Sequence, residues 1–379
     1  MLLVVLLVGM ATALLVYGMV DTTSIALRRE RDTAAAFAEV KRALIGWSVA
    51  RDPSIHGANA RPGEFPCPDM NNDGFEDGSC AAGALGRVPW KTLGIPERKD
   101  AAGETLWYTV AGPFRIWNMN NTAIDNDTKG NVTVYQDSTA VTITTRAVAV
   151  IFAPGALLGA QNRDPAATAL CPTTGTTIAR NLCAANYLET AAGVNNATTN
   201  GPFISAPTSD TFNDKAMVVT TADLMPVVEQ RVARQMLALL QNYRSSSACA
   251  CYPWAANNFD DDSVTGRTQG MVPIEVALPE TWGSLGITVP AWIIGSNEWG
   301  KKFYYAIAPS ESQDHTVGTI TVNGTSKNLV LITTGPAGAS RASTILADYV
   351  DDAENRDGGT IYITPSSTAY ARDRIYTVP

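Results

Sequence analysis

Met1-Leu-Leu-Val-Val-Leu-Leu-Val-Gly-Met-Ala-Thr-Ala-Leu-Leu-Val-Tyr-Gly-Met-Val20 carries no charged side chain, and no proline interrupts the polar segment that follows it as far as Ala50. About 20 apolar residues is the length that crosses a bilayer core of roughly 30 Å, so this half is expected to span a membrane. Beyond Asp21, Phe37, Val40, Leu44 and Trp47 recur at three- and four-residue steps, which places them on one helical face. That half is expected to lie against a globular head. At about 1.5 Å per residue the whole reads as one rod on the order of 75 Å long, ended by Asp52-Pro53.

A secretory signal would have a basic leader and a shorter apolar core; here nothing basic precedes the run, and Ala11-Thr12-Ala13 lies inside it. The chain starts directly in the apolar segment, as if a basic leader had been removed. With 379 residues, 45% hydrophobic and 17% charged, the remainder has room for two modest domains. The net charge of -8 and pI of about 4.9 argue against a nucleic-acid partner, which needs clustered Lys and Arg. Arg28, Arg29 and Arg31 are interleaved with Glu30 and Asp32 and read as a solvated helix face.

Six cysteines in an anchored, exported chain point to disulfides. Cys67 and Cys80 bracket one loop and Cys171 and Cys183 another, so local pairing is expected. Cys249 and Cys251 either close a small ring across Ala250 or pair elsewhere. Between the first two lies Asp69-Met-Asn71-Asn-Asp73-Gly74-Phe75-Glu-Asp77. Oxygen-bearing side chains at alternate positions with a glycine at the sixth suit a calcium ion, held by Asp69, Asn71, Asp73, the Phe75 carbonyl and Asp77. The twelfth position is Cys80, where the closing glutamate of an EF-hand would stand, so the role expected of calcium is to hold the loop.

Thr105 to Ala111, Thr145 to Gly155 and Lys215 to Thr221 are β-branched and aromatic runs, as strands are. Asp223-Leu-Met-Pro226 opens a second helix reaching about Tyr243. The halves of the chain then repeat in order. Phe65-Pro-Cys67-Pro matches Ala250-Cys251-Tyr-Pro253, Asn71–Asp77 matches Asn257–Asp262, Leu106-Trp107-Tyr108 matches Phe303-Tyr304-Tyr305, and Asn186–Glu189 matches Asp348–Asp351. This order implies a tandem duplication of one module, helix first and strands after. Expected boundaries are 1–50 for the helix, 51–222 for the first head module and 223–379 for the second.

No constellation reads as catalytic. Gly295 to Lys302 differs by one residue from a phosphate-binding loop, but a strand follows instead of the helix such a loop needs, so no nucleotide is expected. His56 and His315 lie in Pro/Gly- and Ser/Asp-rich loops without partners for a nucleophile or a metal. Asp260 to Asp262 and Asp351-Asp352 read as solvated turns, the former as a possible second cation site.

The opening helix resembles that of the type IV pilin-like proteins of bacterial pili and type II secretion systems, whose mature chains begin with the membrane helix. The resemblance implies an α+β fold: a long N-terminal membrane-spanning helix followed by two tandem pilin-like modules with antiparallel sheets. It also implies a non-enzymatic filament subunit, packed through Met1, Val5, Phe37, Val40, Leu44 and Trp47 against other pilin-like subunits. Major members of that family carry an acid at the fifth position, which pairs with a neighbour's N-terminal amine. Val5 is closest to the K-type minor pseudopilin, which lacks that acid and is placed at the tip; there the head can meet a surface or receptor ligand. A main-shaft position and a calcium-dependent adhesin that never polymerises are the alternatives. The expected location is the bacterial inner membrane, single-pass with the head periplasmic, and then the assembled filament in the periplasm or at the cell surface.

Overall fold

Apolar β-branched runs bounded by glycine and proline build two four-stranded antiparallel sheets, and each sheet carries a helix of its own. The computed structural model describes residues 2–56, 60–116, 123–257, 263–273, 280–290, 292–293, 299–335, 345–365 and 373–378, with side chains from Ser24 onward except at 53–54. Helix α1 is Leu2–Ala50, α2 a single turn at Pro53–His56, and α3 Thr221–Ser246. The chain forms two units. One is Met1–Trp47 with Phe65–Trp117 and Gly130–Thr220; the other is Ser48–Glu64 with Asn118–Lys129 and Thr221–Pro379. They interleave in sequence rather than meeting at single boundaries.

In the first unit, β1 (Leu85–Arg87), β2 (Trp107–Val110), β5 (Ala149–Ala153) and β11 (Lys215–Val219) lie side by side in that order, all antiparallel. Every residue of β2 and β5 is buried, so both strands read as unbroken apolar runs instead of alternating ones. A second sheet holds β3 (Val132–Gln136) between β10 (Phe203–Ser205), which is parallel to it, and β4 (Ser138–Ala147), which is antiparallel. Two hairpins, β6 (Thr168–Cys171) with β7 (Thr176–Ala179) and β8 (Thr190–Ala191) with β9 (Val194–Asn195), complete the unit. Val40 and Leu44 of α1 are fully buried in it, and the Thr33 hydroxyl accepts the Ala101 amide at 3.1 Å. Lys41 donates to the Val218 carbonyl of β11 at 3.3 Å.

The second unit repeats this plan: β12 (Gln269–Met271), β13 (Phe303–Ile307), β16 (Leu329–Thr333) and β18 (Arg374–Val378) in order and antiparallel. Beside them β14 (Ile320–Val322) pairs antiparallel with β15 (Thr325–Lys327) and parallel with β17 (Ile361–Tyr362). Helix α3 packs on β16 and β18. Individual bonds recur. The Tyr108 hydroxyl donates to the Pro66 carbonyl at 3.1 Å and that of Tyr305 to the Pro253 carbonyl at 3.0 Å. The Phe65 amide donates to Phe114 and the Tyr252 amide to Glu311. Asn196 exchanges two bonds with Ile204, and Asn355 exchanges two with Ile363. Gly86 and Gly270 occupy one place in the two sheets: a Cβ there would lie 2.6 Å from the Asp69 oxygen or 2.0 Å from that of Ala256. The bonds set the correspondence: Phe65-Pro66 stands with Tyr252-Pro253. Cys67 therefore corresponds to Trp254, not Cys251, and Asp69 corresponds to Ala256.

Two expectations are corrected. Among the described residues no helix is long and apolar enough to cross a membrane, so the single-pass anchor and the inner-membrane location built on it do not stand. From Ser24 onward α1 carries Arg28, Arg29, Glu30, Arg31 and Asp32, all exposed, and this described part of the helix is incompatible with a bilayer core. The α+β class with a membrane-spanning helix gives way to a predominantly β architecture, eighteen short strands in six sheets among the described residues. Thr-rich stretches with little apolar patterning pair as strands here, and two of the sheets contain parallel pairs as well as antiparallel ones.

Candidate functional site

The residues expected to assemble divide sharply by position along α1. Met1 and the Val5 side chain lie outside the described residues. Phe37, Val40 and Leu44 are buried in this chain's own head, and Trp47 packs against the cluster of Cys67, Cys80, Ala84 and Ile116. Phe37, Val40 and Leu44 thus pack inside the head, while Trp47 is half-buried. A turn earlier Ile25 to Asp32 are all exposed, and Ile25 and Leu27 are about half so, at 46% and 52%. Along this segment runs an open groove of about 700 Å³, lined by Ile25, Arg29, Thr33, Asp100, Ala153 and Lys215 among others. Lys215 reaches back to Glu30 at 2.9 Å. The lysine lowers the Glu30 carboxyl from its ordinary value by hydrogen bond and charge.

The Asp69–Asp77 loop closes on itself. Asp69 is buried; its Oδ1 accepts the amides of Asn72 at 2.6 Å and Asp73 at 3.2 Å, and its Oδ2 accepts that of Gly74 at 2.8 Å. Burial raises its carboxyl pKa, against those three amides, which lower it. Gly74 sits at φ +87°, and a Cβ there would strike the Trp90 ring at 2.7 Å, so only glycine fits this turn. Asp73 Oδ2 and Asp77 Oδ1 both face the Asn71 amide nitrogen, at 3.1 and 3.3 Å. Phe75 is exposed, with Lys91 stacked 4.9 Å from its ring centre. Among the described residues no group of three or more His, Cys, Asp or Glu stands together to hold a metal. A calcium ion in this loop would have to displace the Asn71 amide from the two carboxylates. Of the suggested second cation site, residues 258–262 lie outside the described residues, and its counterpart of Asp69 is Ala256, which has no carboxylate.

All three cysteine pairs are bonded: Cys67–Cys80, Cys171–Cys183 and Cys249–Cys251, the last closing the small ring across Ala250. His56 and His315 are exposed and bond backbone atoms. Trp299–Lys302 is one 3₁₀ turn running into β13, and Lys302 pairs with Asp127 at 2.6 Å and Asp125 at 3.5 Å. Gly295 to Glu298 lie outside the described residues.

Two buried carboxyls occupy equivalent places in the two units. Asp214 accepts the Glu189 amide at 2.8 Å, and Asp373 accepts those of Asp351 at 2.7 Å and Asp352 at 3.3 Å. Burial and the facing acid, Glu189 in one unit and Asp351 in the other, raise both; Asp373 is pushed up to about 7. Both carboxyls tie down backbone. Sequence reasoning had no signal for them beyond the matched Glu189 and Asp351. It also missed Arg231, whose guanidinium satisfies the carbonyls of Val49 at 2.6 Å and Arg51 at the end of α1 and pairs with Asp52 at 2.8 Å. In the first unit Arg87 lies over the Trp107 and Tyr187 rings at 5.1 and 4.9 Å, and Arg163 over Tyr187 at 4.5 Å. This stack also cannot be read from spacing. Comparison with protein-family models, curated proteins and solved structures finds no match.

Proposed function

We propose that this chain is a non-enzymatic filament subunit of the type IV pilin-like kind, in a minor or tip position, which assembles by packing the N-terminal part of α1 against the helices of other pilin-like subunits. The observation that carries this reading is the division of α1. Among the described side chains of the helix Leu2–Ala50, Ile25 to Asp32 are exposed and flanked by an open groove, whereas Phe37, Val40 and Leu44 are buried in the head. A helix committed to its own head along its whole length would have no face for a neighbour. Val5, where the resembling major pilins carry an acid, and two head units on one helix favour a minor or tip position over the shaft. The test is co-sedimentation with sheared filaments. The chain is expected in the filament fraction, and Ile25→Asp with Leu27→Asp is expected to remove it while leaving the head folded by circular dichroism. Wild-type chain absent from filaments would overturn the proposal.

A further inference from the structure

Cys249 and Cys251 close a ring with only Ala250 between them, just beyond the end of α3 at Ser246. Ala250 stands at φ +51°, in the left-handed region that a residue with a Cβ enters at a cost. Counting back from the matched Phe65-Pro66 and Tyr252-Pro253 sets Ala250 beside Gly63, which takes φ +99° without that cost. At this turn the first repeat therefore uses glycine and no cross-link, with Glu64 where Cys251 stands, whereas the second holds an alanine in place under a disulfide. The two sulfurs also differ in access. Cys251 is wholly buried, and Cys67, Cys80, Cys171 and Cys183 are each 4% exposed or less, but Cys249 is half-buried. The Ser247 hydroxyl oxygen lies 3.7 Å from Cys249 Sγ and accepts the Cys251 amide at 3.3 Å. We propose that Cys249–Cys251 is a thiol–disulfide exchange site that takes a dithiol as its reductant, while the other two disulfides are structural.

The reaction follows from access and chain geometry. A thiolate of the dithiol attacks Cys249 Sγ, the sulfur that solvent reaches, and bonds to it. The Cys249–Cys251 bond breaks, and its electron pair leaves on Cys251 Sγ, which takes up a proton because a buried sulfur is not left charged. The second thiolate of the reductant then attacks the reductant's own first sulfur, closing its disulfide and expelling Cys249 as a thiolate within reach of the Ser247 hydroxyl. Cys249 takes the second proton. The reductant ends as a disulfide, having passed two electrons to the cysteine pair. Opening the ring frees Ala250 to leave the left-handed region, so this bond gives way more readily than one closed over relaxed backbone. The exchange does not depend on the filament reading, and its failure would leave that reading untouched.

The experiment uses the full chain, in which every cysteine begins in a disulfide. It is equilibrated with mixtures of reduced and oxidised dithiothreitol, quenched in acid and alkylated, and each cysteine is followed by peptide mass spectrometry. Cys249 and Cys251 are expected to open together at a ratio of reduced to oxidised reagent at least tenfold lower than the other four require. Ala250→Gly, which keeps the turn without strain, should shift that equilibrium about fivefold toward the disulfide. Cys251→Ser leaves the accessible thiol alone and should form a mixed disulfide with oxidised glutathione at least tenfold faster than Cys249→Ser, whose remaining thiol is buried. Opening of Cys67–Cys80 or Cys171–Cys183 at the same ratio, an equilibrium unmoved by Ala250→Gly, or equal rates for the two serine variants would each overturn the proposal.

Discussion

Asp69 shows how a single side chain can hold a loop whose spacing suggests a cation. Its buried carboxylate collects three backbone amides, and Asp69→Ala would leave them without an acceptor, at a cost of about 2–4 kcal/mol. The loss should appear in thermal melts with or without calcium. Asn71 is the residue that distinguishes a self-bonded turn from a cation cage. Asn71→Asp exchanges the amide between Asp73 and Asp77 for a third carboxylate, so the variant is expected to melt lower than wild type in chelator and to recover with millimolar calcium. A melt unaffected by calcium would count against any cation role for the loop. Asp373 gives a pH dependence whose sign follows from its raised pKa. Unfolded, its pKa returns to about 3.9, so the folded state holds the proton more tightly. Stability is unaffected below about pH 4, falls between about pH 4 and pH 7, and stays reduced above, by an amount on the order of 4 kcal/mol. Asp373→Asn keeps an acceptor for the Asp351 amide and presents a donor to the facing acid. It is expected to raise the melting temperature at pH 8 and leave it nearly unchanged at pH 4.5.

At the scale of elements, α1 has two kinds of apolar residue that spacing alone does not separate. Leu44 is wholly buried, and Leu44→Ala should cost about 2–5 kcal/mol of folding stability in denaturant melts. Leu27 is half exposed, and Leu27→Ala should leave the melt within about 0.5 kcal/mol of wild type. The sequence reveals the face from Phe37 to Trp47 because helical periodicity records burial, whereas an exposed Leu before it looks the same as a buried one. Strands β2, β5, β13 and β16 are legible because they are buried on both sides and therefore continuously apolar. β4 is not, since Thr-Ala-Val-Thr-Ile-Thr-Thr has no buried face to impose alternation. Nor are the parallel pairs β3–β10 and β14–β17, which bring together segments distant in sequence. The repeat was legible as an order of motifs, but its register was misplaced around Cys251. A cysteine and a proline are conspicuous in sequence, whereas the bonds that set the register, Tyr108 to Pro66 and Tyr305 to Pro253, run from side chain to backbone and leave no pattern.

At the scale of the whole molecule, each unit has the complement of an independently cooperative body: a helix, a four-stranded sheet with two wholly buried strands, and a smaller sheet beside it. Cooperativity follows the extent of a shared core, so two cores of this size are expected to give two calorimetric transitions rather than one. The substitutions above assign them. Leu44 belongs to the unit built on β2 and β5, and Asp373 to the unit built on β13 and β16. Leu44→Ala should lower one transition and leave the other in place, and raising the pH from 4.5 to 8 should lower the second through Asp373. Asp214, whose carboxyl is also raised, should make the first transition fall with pH as well. Asp373→Asn should therefore cancel only the pH response of the second. A single transition that shifts as a whole with either substitution would mean that the two sheets share one cooperative core.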